Sequence, residues 1–454
     1  MRELFGTDGV RGKANTYPII PEIALRLGKA AAEAFKQNIE NSNGKRRSII
    51  IGKDTRLSGY MLETALTSGI TSMGVDVLLV GPMPTPAIAH LVRSFAADAG
   101  IMISASHNPA EDNGIKFFGR DGFKLPDKVE EQIEELALSN NIKGDHITGG
   151  LIGKAYRIND ASGRYIEFSK SSIDNLSLRG LKIVLDCANG AAYLIAPKVF
   201  SELGAEVIVL NDRPDGLNIN LNCGALHPEV IQKAVAEHKA DIGIALDGDA
   251  DRVILADENS SIVNGDAVMT MCAYELDMAG RLAKKTVVAT TMSNIGLEIA
   301  LKKRNIRLVR TPVGDRYVID AMRAHGYNFG GEQCGHLVFL DHNTTGDGIL
   351  TALQVLSIMK RNHRRLSELA ADFKKSPQII VNVDVREKKP FEEMPSIAKL
   401  SKEVEEKLGN TGRLVLRYSG TQNVARIMLE GHDEASIKGL AEQLAEAIKK
   451  ENFE

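Results

Sequence analysis

The chain has few cysteines, and they lie far apart. Cys187, Cys223, Cys272 and Cys334 are scattered over 454 residues with no Cys-x-x-Cys spacing. That speaks against a thiolate zinc site and fits a reducing compartment. No run of ~18 apolar residues occurs, and the amino end, Met1-Arg-Glu-Leu-Phe-Gly6, has no apolar signal core. Neither charge is in excess: the formal net charge is −3, which advertises neither nucleic acid nor an anionic membrane as partner. The basic run Lys45-Arg46-Arg47 reads as a solvated lead-in to a strand. G-x-G-x-x-G and a complete Walker A sequence are both missing, so a nicotinamide or purine nucleotide cofactor is not indicated. A cytoplasmic protein with no nucleic-acid or membrane partner is expected.

The chain does have the length for about three or four domains, at roughly 100–200 residues each. One pattern recurs three times. An apolar strand (Ser48–Gly52, Leu181–Leu185, Thr286–Ala289) is followed by a polar loop, a helix and a second strand. Ser or Asn near each helix start predicts an N-cap. Gly74, Gly204 and Asn305 predict left-handed stops. Helices that return to parallel strands predict three related α/β domains. The tail reads strand, helix, strand, strand, helix from Pro377 to Lys450, a small α+β domain. The expected divisions are 1–150, 151–255, 256–370 and 371–454.

Chemistry concentrates in loops that follow buried strands. Ser104-Ala-Ser106-His107-Asn108-Pro109 offers a hydroxyl nucleophile without a G-x-S-x-G elbow. Consecutive side chains such as Ser106 and His107 do not normally meet as nucleophile and base. Phosphorylation of Ser106 itself would supply oxygens suited to Mg²⁺. Asp247-Gly-Asp249-Ala-Asp251-Arg252 places carboxylates at every second position. In an extended segment these share a face, and oxygen-only ligation favours a hard cation, Mg²⁺ before Zn²⁺. Gly6-Thr-Asp-Gly-Val-Arg11-Gly12 and Arg417-Tyr-Ser419-Gly420-Thr421-Gln-Asn423 with Arg426 offer glycine backbone, hydroxyls and guanidiniums to phosphate. Gly330-Gly-Glu332-Gln-Cys334-Gly-His336 offers polar groups to sugar hydroxyls, and Asn113-Gly-Ile-Lys116 a lysine able to move a proton. Taken singly, these last loops read equally well as surface turns.

In combination and order, the segments resemble the α-D-phosphohexomutase superfamily over essentially the whole chain, from Phe5–Gly12 to Arg417–Thr421. Gly81-Pro-Met-Pro-Thr-Pro86, Ile103–Pro109, Gly331–His336 and Thr344-Thr-Gly-Asp-Gly-Ile349 lean towards the branch that acts on glucosamine phosphates. The resemblance implies an α/β fold: three related mixed-sheet α/β domains plus a C-terminal α+β domain around a central active-site cleft. It implies an isomerase that interconverts glucosamine 6-phosphate and glucosamine 1-phosphate through glucosamine 1,6-bisphosphate, both intermediate and activator, in the supply of UDP-N-acetylglucosamine for the cell wall. Ser106 would be the phosphoserine, and with Asp247, Asp249 and Asp251 would hold one Mg²⁺. Arg11 and Lys116 would lie beside the reacting phosphate. Lys116 would be the general acid/base if burial beside cations lowers its pKa, with His336 a second candidate. Gly314, Asp315, Arg316, Glu332 and Cys334 would read the sugar. Arg417, Ser419, Gly420, Thr421 and Arg426 would hold the phosphate that is not reacting. The partner is a small sugar phosphate; homodimerisation is left open.

Two departures stand out. Cys334 occupies a position where the family usually has Ser, and a thiol is the weaker donor. Gln422-Asn423 stands where the family usually has Glu-Pro. Three rival functions are kept: a phosphomannomutase/phosphoglucomutase, a haloacid-dehalogenase-like phosphatase using Asp247-x-Asp249, and a non-catalytic sugar-phosphate sensor.

Overall fold

The computed structural model describes residues 3–6, 8–38, 46–139, 142, 147–418 and 423–453. Among these, the strands assemble into sheets of seven, five, four and three. The β-branched run Ser48–Lys53 is buried at every position, as a strand covered on both faces must be. It lies inside the first sheet, parallel to Asp76–Pro82 and to Ala99–Ile103. Helices Pro21–Asn38 and Ser58–Ser72 pack against each other, with Leu27, Ala31, Leu62, Leu66 and Ile70 in the core of this domain.

The three expected repeats are present, with strands Ser48–Lys53, Lys182–Asp186 and Thr286–Thr290 each leading through a loop to a helix. Gly74, Gly204 and Asn305 end those helices at φ of 76°, 94° and 56°, as read from sequence. The starts agree with expectation in one repeat of the three. Asn294 caps its helix, accepting from the Gly296 N–H at 2.9 Å. Helix Ser58–Ser72 has no side-chain cap, because Leu57 stands at the N-cap; Ser58 is the first helical residue, and its hydroxyl accepts from Asn113 Nδ2 (2.8 Å). The second helix is also uncapped and short, Ala196–Glu202, since residues 190–195 are spent on turns.

A further regularity positions the site. Each of the first three sheets contains an antiparallel hairpin whose connecting loop carries candidate residues. Ile103 pairs with Ile115 around the Ser106 loop. Leu246 pairs with Val253 around the aspartate loop. Gly331 pairs with Leu337 around the Glu332–His336 loop. Two sheets run past the expected joints. Ala155–Arg157 adds to the first sheet beside Asp76–Pro82. The second sheet includes Val253–Asp257 and Ile262–Val263, so residue 255 falls inside a strand.

The chain divides into two compact units. One comprises residues 1–291 and 309–371, the other residues 292–308 and 372–454. In the second unit Val424–Glu430 is the middle strand, antiparallel to Gln378–Asp384 and Arg413–Tyr418. Helix Ile295–Lys302, read as part of the third repeat, groups here. The reason is Glu430, fully buried, whose carboxylate accepts from the Ile295 N–H (2.9 Å), Asn294 Nδ2 (3.1 Å) and Arg413 Nε (3.1 Å).

Among the described residues no helix is long and apolar enough to cross a membrane. Cys187, Cys223 and Cys272 are buried and unpaired, and burial raises the pKa of each.

His90 stacks on Phe168 with ring centroids 3.9 Å apart. Burial, then Arg93 and Arg164, pushes its pKa from the ordinary 6.5 to about 4. Between those values the unfolded chain takes up the proton and the folded one does not. Stability from this group is therefore full above pH ~6.5 and lost as pH falls towards 4. The difference in Tm between wild type and His90→Phe is expected to shift in favour of the variant between pH 7 and pH 4. A pH-independent difference in thermal melts would refute this.

Candidate active site

Ser106 sits at φ 53°, in the left-handed region that few non-glycine residues occupy, and is buried. Its backbone is held from outside the loop. Arg56 is fully buried and donates through Nη2 to the carbonyls of Ser106 (3.0 Å) and Asn108 (2.8 Å) and through Nη1 to that of Pro109. Its Nε donates to Asp54 Oδ2 at 2.8 Å. Asp54 Oδ2 also accepts from Ser104 Oγ (2.6 Å), which in turn accepts from the Ser106 N–H (2.9 Å). Asn220 Nδ2 reaches the same carbonyls of Ser106 and Asn108, at 3.0 and 3.2 Å.

The Ser106 hydroxyl donates to Asp247 Oδ2 at 2.7 Å. His107 Nδ1 lies 3.4 Å from Ser106 Oγ, a marginal contact. Burial, then Arg252 and Arg11, pushes the His107 pKa down to about 4, so the ring is neutral.

The three aspartates converge as foreseen, but on a turn and not on an extended segment: Ala250 has φ 56° and residues 248–251 are turn and bend. Gly248 permits the close approach, since a Cβ there would lie 2.6 Å from the Ser106 carbonyl oxygen. One oxygen from each of Asp247, Asp249 and Asp251 lies within 4.8 Å of the others, all three residues buried. Burial and its two neighbours push the Asp247 pKa well up. Asp251 stays well below the usual range because His336, Lys116 and Arg252 outweigh its burial. Asp249 Oδ1 and Asp251 Oδ1 are buried with no hydrogen-bond partner among the described residues. Orphaned carboxylate oxygens, no nitrogen or sulfur in the set and mutual repulsion fit a hard divalent cation.

Lys116 is buried, with Nζ 2.9 Å from Asp249 Oδ2 and 3.3 Å from Asp8 Oδ2. A lowered pKa was the condition for its role as a base. Burial does lower it, but Asp249 and Asp8 outweigh burial and the net shift is upward. Lys116 is charged here.

A cavity of about 520 Å³ opens beside these groups, lined by Arg11, Arg252, Gly314, Asp315, Glu332 and His336 among others. His336 lies between Asp251 (Nδ1, 3.6 Å) and Asp315 (Nε2, 3.5 Å). Burial opposes its protonation, but these carboxylates push its pKa up to about 9. The Gly346 N–H lies 3.2 Å from Nε2, a contact suited to a neutral ring. Two carboxylates outweigh one amide, and we assign the imidazolium. Arg316 also lines the cavity, with Nη2 on Glu130 (2.7 Å) and Nη1 on Asp127. Cys334 does not line the cavity. Its Sγ donates to Glu332 Oε2 at 3.8 Å, and burial raises its pKa to about 12.

In the second unit, Arg417 stands directly opposite Arg426 in register, and Arg426 Nε is buried with no partner among the described residues. Like charges in a cross-strand pair repel, and an anion relieves them. Ser419, Gly420, Thr421 and Gln422 lie outside the described residues, as does Thr7.

Models of the phosphoglucomutase/phosphomannomutase α/β/α domains I, II and III match residues 2–142, 163–261 and 264–376, and the C-terminal domain model matches 380–447. A phosphoglucosamine mutase of Citrifermentans bemidjiense is 59% identical over 450 residues, covering 99% of this chain and 98% of its own length. The chain belongs to the phosphoglucomutase/phosphomannomutase family. A phosphoglucosamine mutase of Myxococcus xanthus is 56% identical over 451 residues, covering 99% of this chain and 97% of its own. A Burkholderia thailandensis protein of the same family shares the fold at TM-score 0.79 and 23% identity, over 98% of this chain and 96% of its own. So does Aspergillus fumigatus N-acetylphosphoglucosamine mutase, solved with GlcNAc-6P and magnesium, at TM-score 0.68 and 20% identity over 99% and 96%. The family's three α/β domains and C-terminal α+β domain are the architecture expected from sequence.

For this phosphohexomutase, sequence reasoning missed Asp54, Arg56 and Asn220 as the clamp on Ser106, and Lys124 altogether. Lys53-Asp54-Thr55-Arg56 was visible as a polar loop after a strand, the position that carries function in the other loops. Lys124 lay in no motif. It is buried against Asp8 and, at 2.5 Å, Asp315, which outweigh burial and raise its pKa. Removing one member of a buried charge set strands the others. Lys124→Met is expected to lose about 3–5 kcal/mol in urea unfolding, with Lys124→Arg recovering part of it. An unchanged unfolding midpoint in Lys124→Met would refute the buried bridge.

Proposed function

We propose that this chain interconverts glucosamine 6-phosphate and glucosamine 1-phosphate by way of phosphoserine 106 and glucosamine 1,6-bisphosphate, supplying the precursor of UDP-N-acetylglucosamine for the cell wall in the cytoplasm. The observation that carries the reading is the Ser106 hydroxyl, clamped in the left-handed region and 2.7 Å from a buried aspartate trio.

Asp247, Asp249 and Asp251, with an oxygen of the Ser106 phosphate, would hold one Mg²⁺. The ion would neutralise charge on the transferring group. The remaining work falls to side chains. The sugar 1-hydroxyl forms a bond to phosphorus as the phosphorus–Oγ bond of Ser106 breaks. Arg11 stabilises charge on the equatorial oxygens. Lys116 enters as the acid: it gives its proton to Ser106 Oγ and takes the one released by the sugar hydroxyl, ending as it began. His336 is a fixed cation and, with Glu332, Gly314 and Asp315, orients the sugar. Arg417 and Arg426 are assigned the phosphate that is not reacting. The bisphosphate turns over, and its other phosphoryl group returns to Ser106.

Both Asp247 oxygens are engaged, Oδ2 by Ser106 Oγ and Oδ1 by the Arg252 N–H (3.1 Å), which argues against an aspartyl nucleophile. Ser106→Ala is expected to lack the +80 Da phosphate by intact mass and to lose at least ~10³-fold in activity, as enzymes do without their covalent nucleophile. Retained activity with label trapped on Asp247 would establish the phosphatase instead. Among glucosamine, glucose and mannose phosphates, kcat/KM is expected to be highest for glucosamine.

A further inference from the structure

Gly81-Pro-Met-Pro-Thr-Pro86 takes no part in the steps above, yet it touches the centre of the site. The strand Asp76–Pro82 ends there and helix Thr85–Ser94 begins. Thr85 is fully buried and directs both its donors at one residue of the next domain. Its N–H donates to the Asp249 carbonyl at 2.9 Å, and its Oγ1 donates to Asp249 Oδ2 at 2.6 Å. The prolines on either side have no N–H, so Thr85 supplies the single amide of this three-residue segment.

Lys116 Nζ donates to the same oxygen, Oδ2, at 2.9 Å. Two donors on Oδ2 fix the rotation of the carboxylate, and the other oxygen, Oδ1, is left buried without a partner among the described residues. Asp247 is different, since both of its oxygens already accept hydrogen bonds. The N-terminal end of helix Thr85–Ser94 adds partial positive charge beside Asp249.

We infer that Thr85 is a positioning residue for the metal site. From the first domain it orients the Asp249 side chain so that Oδ1 faces the space shared with Asp247 and Asp251. The inference rests on the proposal that the aspartate trio takes a divalent cation. It also explains why a hydroxyl stands here: valine would fill the same space without donating, and serine would donate without filling it.

The test is Mn²⁺ titration of the full-length protein, with free ion followed by electron paramagnetic resonance. Loss of an outer-shell partner typically weakens metal affinity 10–100-fold. Thr85→Val is expected to raise the Mn²⁺ Kd by that factor, and Thr85→Ser to stay within about threefold of wild type. The Mg²⁺ concentration for half-maximal turnover should rise in parallel, while KM for the sugar phosphate at saturating Mg²⁺ holds. If the valine variant does not fold, Thr85→Ser against Thr85→Ala makes the same comparison, since the two differ by the hydroxyl alone. Equal Mn²⁺ affinity in the variants with and without the hydroxyl overturns the role of Thr85 while leaving the metal site standing. Stoichiometric binding that is absent in wild type, or unchanged in Asp251→Asn, overturns the metal site and this inference with it.

Discussion

Three carboxylates brought within 4.8 Å of one another in a buried place oppose their own assembly. At an effective dielectric near 20, each pair of charges at such separations costs at least ~3 kcal/mol. The surrounding structure answers that cost. Lys116 is drawn to Asp249 and Asp8, His336 to Asp251 and Asp315, and Lys124 to Asp315 and Asp8. Acid and base alternate around the cavity, so no one charge is removed without stranding its neighbours. Asp249 Oδ1 and Asp251 Oδ1, without a hydrogen-bond partner among the described residues, mark where the compensation is incomplete and where a cation would fit.

The architecture delivers these groups by repetition. Parallel strands switch to an antiparallel hairpin in each of the first three sheets, and each hairpin loop presents a different chemistry. One carries the hydroxyl, one the carboxylates, one the glutamate and histidine. Small residues at the contacts set how near the loops come. Gly248 lets the aspartate loop meet the Ser106 carbonyl, and a Cβ on Gly346 would lie 2.3 Å from His336 Nε2.

Sequence periodicity located the repeated strands and their helix stops because those depend on local forces: β-branched burial and the left-handed tolerance of Gly and Asn. It singled out Ser106 and the aspartates, which the structure brings together, because their residue types carry a chemical signal of their own. It failed where the partner is distant in the chain. Glu430 draws helix Ile295–Lys302 into the second unit, and Asp8 with Asp315 turns Lys124 from an ordinary surface residue into a buried bridge. The condition set for Lys116, a lowered pKa, is not met for the same reason: Asp249 lies 133 residues away. Arg56 and Asn220 act through backbone carbonyls, and a carbonyl carries no residue-type signal.

The thiol at position 334 has a consequence of its own. With a pKa near 12 and a carboxylate taking its hydrogen, it is almost entirely un-ionised in the cell, and burial raises the other three cysteines likewise. Only the thiolate attacks peroxides and electrophiles. Oxidants and alkylating agents are therefore expected to react slowly with all four thiols.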